Sequence, residues 1–173
     1  GWNRESHPLT KLPGGDWELK LEGRDALCEG QRVLTCVTRL SERFDRIPAY
    51  IRSVVRDPDS GQFTGRVVLD AAYPWRDAEF MAKSRRGAPI VYECHIGMAQ
   101  ESETVGTYDE FRRLILPRIA KAGYNAIQIM AIQEHPYYGS FGYHVSSFFA
   151  PSSRFGTPEA LKQLIDEAHS LGL

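Results

Sequence analysis

The sequence predicts a two-part fold: a small sandwich-like module of short β-strands, then a parallel strand–helix–strand unit that opens into a long loop. Three observations carry this. Several short extended runs, broken by Pro, Gly and Asp turns, fill the first 75 residues. Two apolar runs, residues 90–97 and 124–132, flank a segment of helical periodicity. The second run leads into residues 133–144, where aromatic rings, imidazoles and glycines crowd together.

In chain order, Pro13-Gly14-Gly15-Asp16 is a turn signal, and the alternation after it makes residues 17–21 a strand with Trp17, Leu19 and Leu21 on one face. Residues 31–40 read as a further strand. Residues 48–51 and Val54-Val55 are extended candidates, residues 57–61 a turn, and residues 63–69 a strand leaving it. The charges of Arg39, Glu42, Arg43, Asp45 and Arg46 suit a solvated face. Trp2 and Trp17 stay open between two roles, core aromatics or exposed indoles that stack on a sugar ring. Residues 70–89 are poorly periodic, with Tyr73-Pro74-Trp75 suited to a junction and the basic stretch 83–89 to a linker.

The run at 90–97 suits a central parallel strand, with Glu93 and His95 sharing a face by period two. Thr107 with Glu110 forms a capping box, and Phe111, Leu114, Ile115 and Ile119 form an apolar stripe that Pro117 should kink. Gly123 suits a left-handed cap, and residues 124–132 a second strand joined by a right-handed crossover. The following loop serves equally as a pocket wall or a packed lid. Thr157-Pro158-Glu159 opens a last helix with Leu161, Leu164, Ile165 and Ala168 inward and His169 near its end.

A formal net charge of −1 argues against a nucleic-acid or acidic-membrane partner, and no apolar run approaches the length of a membrane span. Cys28, Cys36 and Cys94 lack metal-ligand spacing and suit reduced thiols in a cytoplasmic protein. No metal set, nucleophile elbow, P-loop or dinucleotide fingerprint appears, so no cofactor is expected. Both ends read as interior positions of a longer chain.

The pattern EHxYYxSFGY, followed by SFFAxSSRxGTPEALKxLIDxAHSxG, resembles the 1,4-α-glucan (glycogen and starch) branching enzymes of the α-amylase superfamily, glycoside hydrolase family 13. The motifs at residues 92–97, Leu116-Pro117-Arg118-Ile119, Gly123-Tyr124-Asn125, Gly1-Trp2-Asn3, Asp16-Trp17-Glu18-Leu19 and residues 46–50 extend the resemblance over nearly the whole chain.

The resemblance implies a partial β-sandwich carbohydrate-binding module of the family-48 type at residues 1–75, a linker at 76–89, and the first βα units of a truncated (β/α)₈ TIM barrel at 90–173. It implies cleavage of an α-1,4-glucan and transfer of the segment to a glucose 6-hydroxyl with retention. That chemistry uses a nucleophile and an acid about 5–5.5 Å apart. By the resemblance these carboxylates lie beyond Leu173, so this chain alone is expected to be inactive, and Glu93, Asp109, Glu134 and Asp166 are not promoted in their place.

The resemblance also gives Tyr143 a stacking role beside the bond being cut and puts His144 where many members have Gln. It places Arg154, Phe155 and Gly156 near bound glucan, and Trp17, Glu18 and Leu19 at a glucan contact on the β module. The expected partner is α-glucan. Open barrel edges are expected to drive self-association. The competing expectation is a standalone glucan-binding or scaffold protein without the catalytic half. A debranching enzyme shares the layout, but residues 140–143 and 168–170 look more like branching enzymes.

Overall fold

A computed structural model describes residues 2–23, 26–69, 72–83 and 88–173. Gly1 and residues 84–87 of the basic stretch lie outside the described residues. Strands β1 (Thr10–Lys11) and β2 (Trp17–Glu18) form a short hairpin across the expected Pro-Gly-Gly-Asp turn. Pairing stops at Glu18, and Trp17, Leu19 and Leu21 are all exposed, so the anticipated inward face is not buried.

The strand expected over residues 31–40 divides in two. β3 (Arg32–Val33) joins one sheet, while β4 (Thr35–Arg39) pairs with β5 (Glu42–Arg46) in another. Residues 48–51 form a turn, with Ile51 N donating to Pro48 O at 3.1 Å, and not an extended segment. β6 (Val54–Arg56) and β7 (Phe63–Arg66) follow, in the antiparallel order β3-β7-β6. Asp57 builds the turn between them by accepting from Asp59 N, Ser60 N and Ser60 Oγ. Past Arg66 the ladder continues through Val67, whose N–H donates to Gln31 O at 2.8 Å and whose carbonyl accepts from Gly30 N at 2.9 Å.

Within the expected linker, residues 78–82 form α1 (Ala78–Ala82). β8 (Val91–His95) then runs into a 3₁₀ turn, Ile96–Met98. One continuous helical stretch comprises α2 (Tyr108–Glu110), a π-turn over Phe111–Ile115, and α3 (Leu116–Lys121). The Thr107/Glu110 capping box closes its start, and Gly123 at φ +89° follows its end. Pro117 explains the π-turn. It has no N–H, and its ring would clash with the carbonyl four residues back. Leu116 N instead reaches Phe111 O, five residues back. The extra residue per turn rotates Leu114 out to 58% exposure and brings Leu116 into the core, which corrects the expected stripe.

β9 (Ala126–Met130) pairs parallel with β8 from Val91↔Ala126 to His95↔Met130. β10 (Gln133–Glu134) pairs antiparallel with β11 (Ser147–Pro151), a strand pair inside what the sequence reads as loop. α4 (Pro158–Ser170), capped by Thr157, closes the fold. Tyr108, Phe111, Leu116, Ile119, Phe155 and Leu164 form the core between these helices and the helix-facing side of β8 and β9.

Residues 76–80 dock on α4. Arg76 N and Nε donate to the buried Asp166 carboxylate at 2.8 and 2.7 Å. His169 Nδ1 donates to Asp77 at 2.9 Å, and its ring stacks on Phe80 with centroids 4.3 Å apart. These pairings span 90 and 92 positions, so the helical pattern around Asp166 and His169 carries no local sign of them.

Candidate functional site

The loop after β9 begins under constraint. Ala131 adopts φ +57°, which turns the chain sharply off the end of the strand. Glu134 and His135 are then fully buried. Glu134 Oε1 accepts His135 N at 3.0 Å and Oε2 accepts Ser153 N at 2.8 Å. Its backbone carbonyl takes both Ser146 N and Ser146 Oγ, at 2.8 and 3.1 Å. His135 Nδ1 donates to Gln133 O at 2.9 Å, which places the proton on that nitrogen. One residue therefore gathers the loop's departure, its return and the exit of β11.

Aromatic rings fill the space above β8. His95 lies edge-to-face against Tyr138, Phe141 and Phe155, with centroids 5.5–6.0 Å away. Burial, reinforced by the neighbouring His135, lowers its pKa and favours the neutral imidazole. Tyr108 packs on Phe155 and donates to Ser152 O at 3.3 Å. Burial first, and then the Glu134 carboxylate, raise the pKa of its phenol. Phe141 at φ +51° and Gly142 at φ +82° fold the loop tip against Ala131. A side chain at Gly142 would collide with the Ala131 backbone, so only glycine fits this seat.

From this seated tip Tyr143 projects outward, 80% exposed, with its N–H tied to Ser140 O at 3.0 Å. His144 beside it is also exposed. Arg154 turns into the loop: its Nη2 donates to Pro136 O, and its guanidinium lies over the Tyr138 ring at 5.9 Å. Phe155 is 0% exposed and belongs to the core, where it supports the loop from beneath and offers no face to a ligand. Gly156 follows at φ +137°, packed on Tyr108 and Ala160. The loop packs as a lid on the His95 side and presents an exposed aromatic edge at Tyr143.

The other anticipated contact lies on the β1–β2 hairpin. Trp17 is 61% exposed, Glu18 pairs with Lys20 at 3.3 Å, and Leu19 is exposed. An open concavity of about 640 Å³ lies on the same module, lined by Trp2, Asn3, Arg4, Glu5, Arg43, Asp45 and Gln62. Arg4 grips Asp45 through two bonds, at 3.0 and 2.6 Å, and Arg43 pairs with Glu5 at 3.1 Å. Sequence reading treated that charged face as solvated only, because pairings over 38 and 41 residues leave no local signal. It also missed the contact of Tyr50 with Phe149, whose ring centroids are 5.0 Å apart. Among the described residues no group of three or more His, Cys, Asp and Glu side chains converges to hold a metal ion.

The carboxylates of Glu93, Asp109 and Asp166 are each bonded to neighbouring side chains. Glu93 accepts from Gln128 at 3.3 Å, Asp109 binds Arg112 and Arg113, and Asp166 binds Arg76. None forms a facing pair suited to acid–nucleophile chemistry.

No protein-family model matches the chain. Curated relatives do. A 1,4-alpha-glucan-branching enzyme 2-2, chloroplastic/amyloplastic, of Arabidopsis thaliana is 46% identical over 99% of this chain and 22% of its own length. The 1,4-alpha-glucan-branching enzyme of Emericella nidulans is 42% identical over 99% of this chain and 26% of its own. The one of Solanum tuberosum is 41% identical over 100% of this chain and 21% of its own. The chain thus spans about a quarter of the length of these relatives. Among solved structures, a putative alpha amylase from Salmonella typhimurium superposes with a TM-score of 0.69 at 23% identity, covering 97% of this chain and 28% of that one. A Group B Streptococcus pullulanase, SAP, gives 0.70 at 18% identity, covering 95% and 27%. These two similarities establish an α-amylase-type fold.

Proposed function

We propose, from its kinship with the 1,4-α-glucan branching enzymes, that this chain works as part of such an enzyme and that the Tyr143 loop forms one wall of a glucan subsite. The observation that carries the reading is the display of Tyr143: its ring, 80% exposed, is the most open of the loop's described aromatic rings, on a loop rooted by the buried Glu134 and His135. A flat exposed ring stacks on the apolar face of a glucose unit, and its π-face favours positive charge developing on the sugar. His144 beside it offers ring nitrogens to sugar hydroxyls. Arg154, Phe155 and Gly156 shape the loop's underside, and Trp17, Glu18 and Leu19 offer a separate contact for the same polymer on a module of carbohydrate-binding type.

In the proposed reaction a carboxylate displaces the α-1,4-linked leaving group, whose oxygen receives a proton from the acid. A glucose 6-hydroxyl then displaces the carboxylate and returns its proton to that acid, giving an α-1,6 branch with retention. We assign neither carboxylate to this chain: Glu93, Asp109, Glu134 and Asp166 each bond a partner within it. Amylose incubated with this chain alone should therefore keep its iodine absorbance.

The binding claim is tested by titrating maltoheptaose into the chain and following amide chemical shifts. Tyr143→Ala should weaken binding about tenfold, equivalent to about 1.4 kcal/mol. An unchanged Kd would remove Tyr143 from the site. We propose in addition that the isolated chain self-associates. β8 and β9 form a two-stranded sheet, whereas each barrel strand needs two neighbours. Sedimentation showing a lone monomer at high concentration would dismiss this.

A further inference from the structure

We propose that Glu134 is a positioning residue that sets where Tyr143 stands, acting through the backbone and never touching glucan. This rests on the reading of Tyr143 as a glucan-stacking ring. Glu134 is fully buried, so a ligand cannot reach it. A buried carboxylate ordinarily pairs with a cation, yet among the described residues its oxygens bond main-chain N–H groups, His135 at 3.0 Å and Ser153 at 2.8 Å. Those two groups lie 18 residues apart, on either side of the whole aromatic segment. The carbonyl of the same residue holds Ser146. Tyr143 therefore sits on a span of chain whose root and return both bond Glu134, and whose tip is seated by Phe141 and Gly142 on Ala131. A ring that stacks on a sugar needs a fixed orientation before the sugar arrives, because ordering a loop on binding lowers affinity. Glu134 supplies that fixed orientation.

The side-chain chemistry makes the role separable from bulk. A carboxylate presents two acceptor oxygens, whereas the isosteric amide of Glu134→Gln presents one oxygen and one NH₂ donor. In the variant a donor must face one of the two N–H groups, and one end of the loop is released at nearly unchanged volume.

The experiment is a double-mutant cycle on the full chain, with maltoheptaose as the probe and amide hydrogen exchange as a second readout. Glu134→Gln should speed exchange at His135 or Ser153 at least tenfold while leaving the amides of β8 and β9 protected. It should also weaken maltoheptaose binding about tenfold, the size expected when a buried hydrogen bond to a charged group is lost. In a Tyr143→Ala background the same substitution should add nothing to the loss of affinity, because its effect passes through that ring. Additive losses would show that Glu134 affects glucan by another route and overturn the proposal. Unchanged exchange at both His135 and Ser153 would overturn it as well. If Tyr143→Ala leaves binding untouched, the glucan reading of Tyr143 falls and this role for Glu134 falls with it. Local exchange would still report separately whether the tie exists.

Discussion

Residues 2–69 and residues 88–173 are held together by different means. The second region buries Tyr108, Phe111, Leu116, Ile119, Phe155 and Leu164 in one continuous cluster. Among the described residues of the first, the buried apolar side chains are Val54 and Val67, beside Ser53 and Thr64. What the first region has instead is short ladders, turn hydrogen bonds and ion pairs such as Arg4–Asp45, Arg32–Asp57 and Arg43–Glu5. Solvent-exposed pairs of this kind contribute little, because water and salt screen them. The lesson is that short ladders and surface pairing shape the first region, while a modest aromatic core gathers the second and seats its loop.

The sharpest way to break that contrast is to empty the core. Phe155→Ala should cost about 3–5 kcal/mol of stability in residues 88–173. Denaturation followed by Tyr108-region NMR signals should shift strongly, and the signals of Trp2 and Trp17 should not. If both sets shift together, the two regions unfold as one unit and the distinction falls.

A finer test lies in the π-turn. Leu116→Ala should cost about 2–5 kcal/mol, and Leu114→Ala no more than about 0.5 kcal/mol. Urea melts of the two variants decide it, and the reverse order would mean that the helix runs on without the extra residue.

Acid should produce the smallest and most evenly shared effect. The Ser60 N–H, helped by Arg32, lowers Asp57 to about 2. The backbone N–H and guanidinium of Arg76 lower Asp166. A carboxylate whose folded pKa lies below its unfolded value of about 3.9 stabilises fully above that value. The contribution fades as pH falls toward the folded value. Residues 2–69 should therefore weaken between about pH 4 and pH 2 and residues 88–173 as pH falls below about 4, and Asp57→Asn should flatten the slope in residues 2–69 alone, as read by thermal melts at stepped pH. An unaltered slope would mean that the Asp57 turn contributes nothing to acid sensitivity.

What the sequence made legible was local. The Thr107/Glu110 box, the Gly123 cap, the Thr157 start of α4 and the turn at residues 57–61 each depend on residues within a few positions, and each is present. The parallel pair β8–β9 was legible because two apolar runs flanked one helical pattern. Leu114 was misplaced because Pro117 changes the helical period, and periodicity alone cannot register that change. The strand over 31–40 was misjudged because β3 and β4 leave toward different sheets. For the loop, composition signalled aromatic burial and aromatic display together. Only the φ values at Ala131, Phe141 and Gly142 divide them, setting Tyr143 outside and Tyr138 within.

The docking of Arg76 on Asp166 has a consequence in time. The two residues are 90 positions apart along the chain. A ribosome adds about 5–20 residues per second, so on the order of 5 to 20 s separate the synthesis of one from that of the other. During that interval the segment between the two regions has its basic end and no acceptor for it. The segment joining them is thus fixed only when α4 emerges and delivers Asp166 and His169 to Arg76 and Asp77.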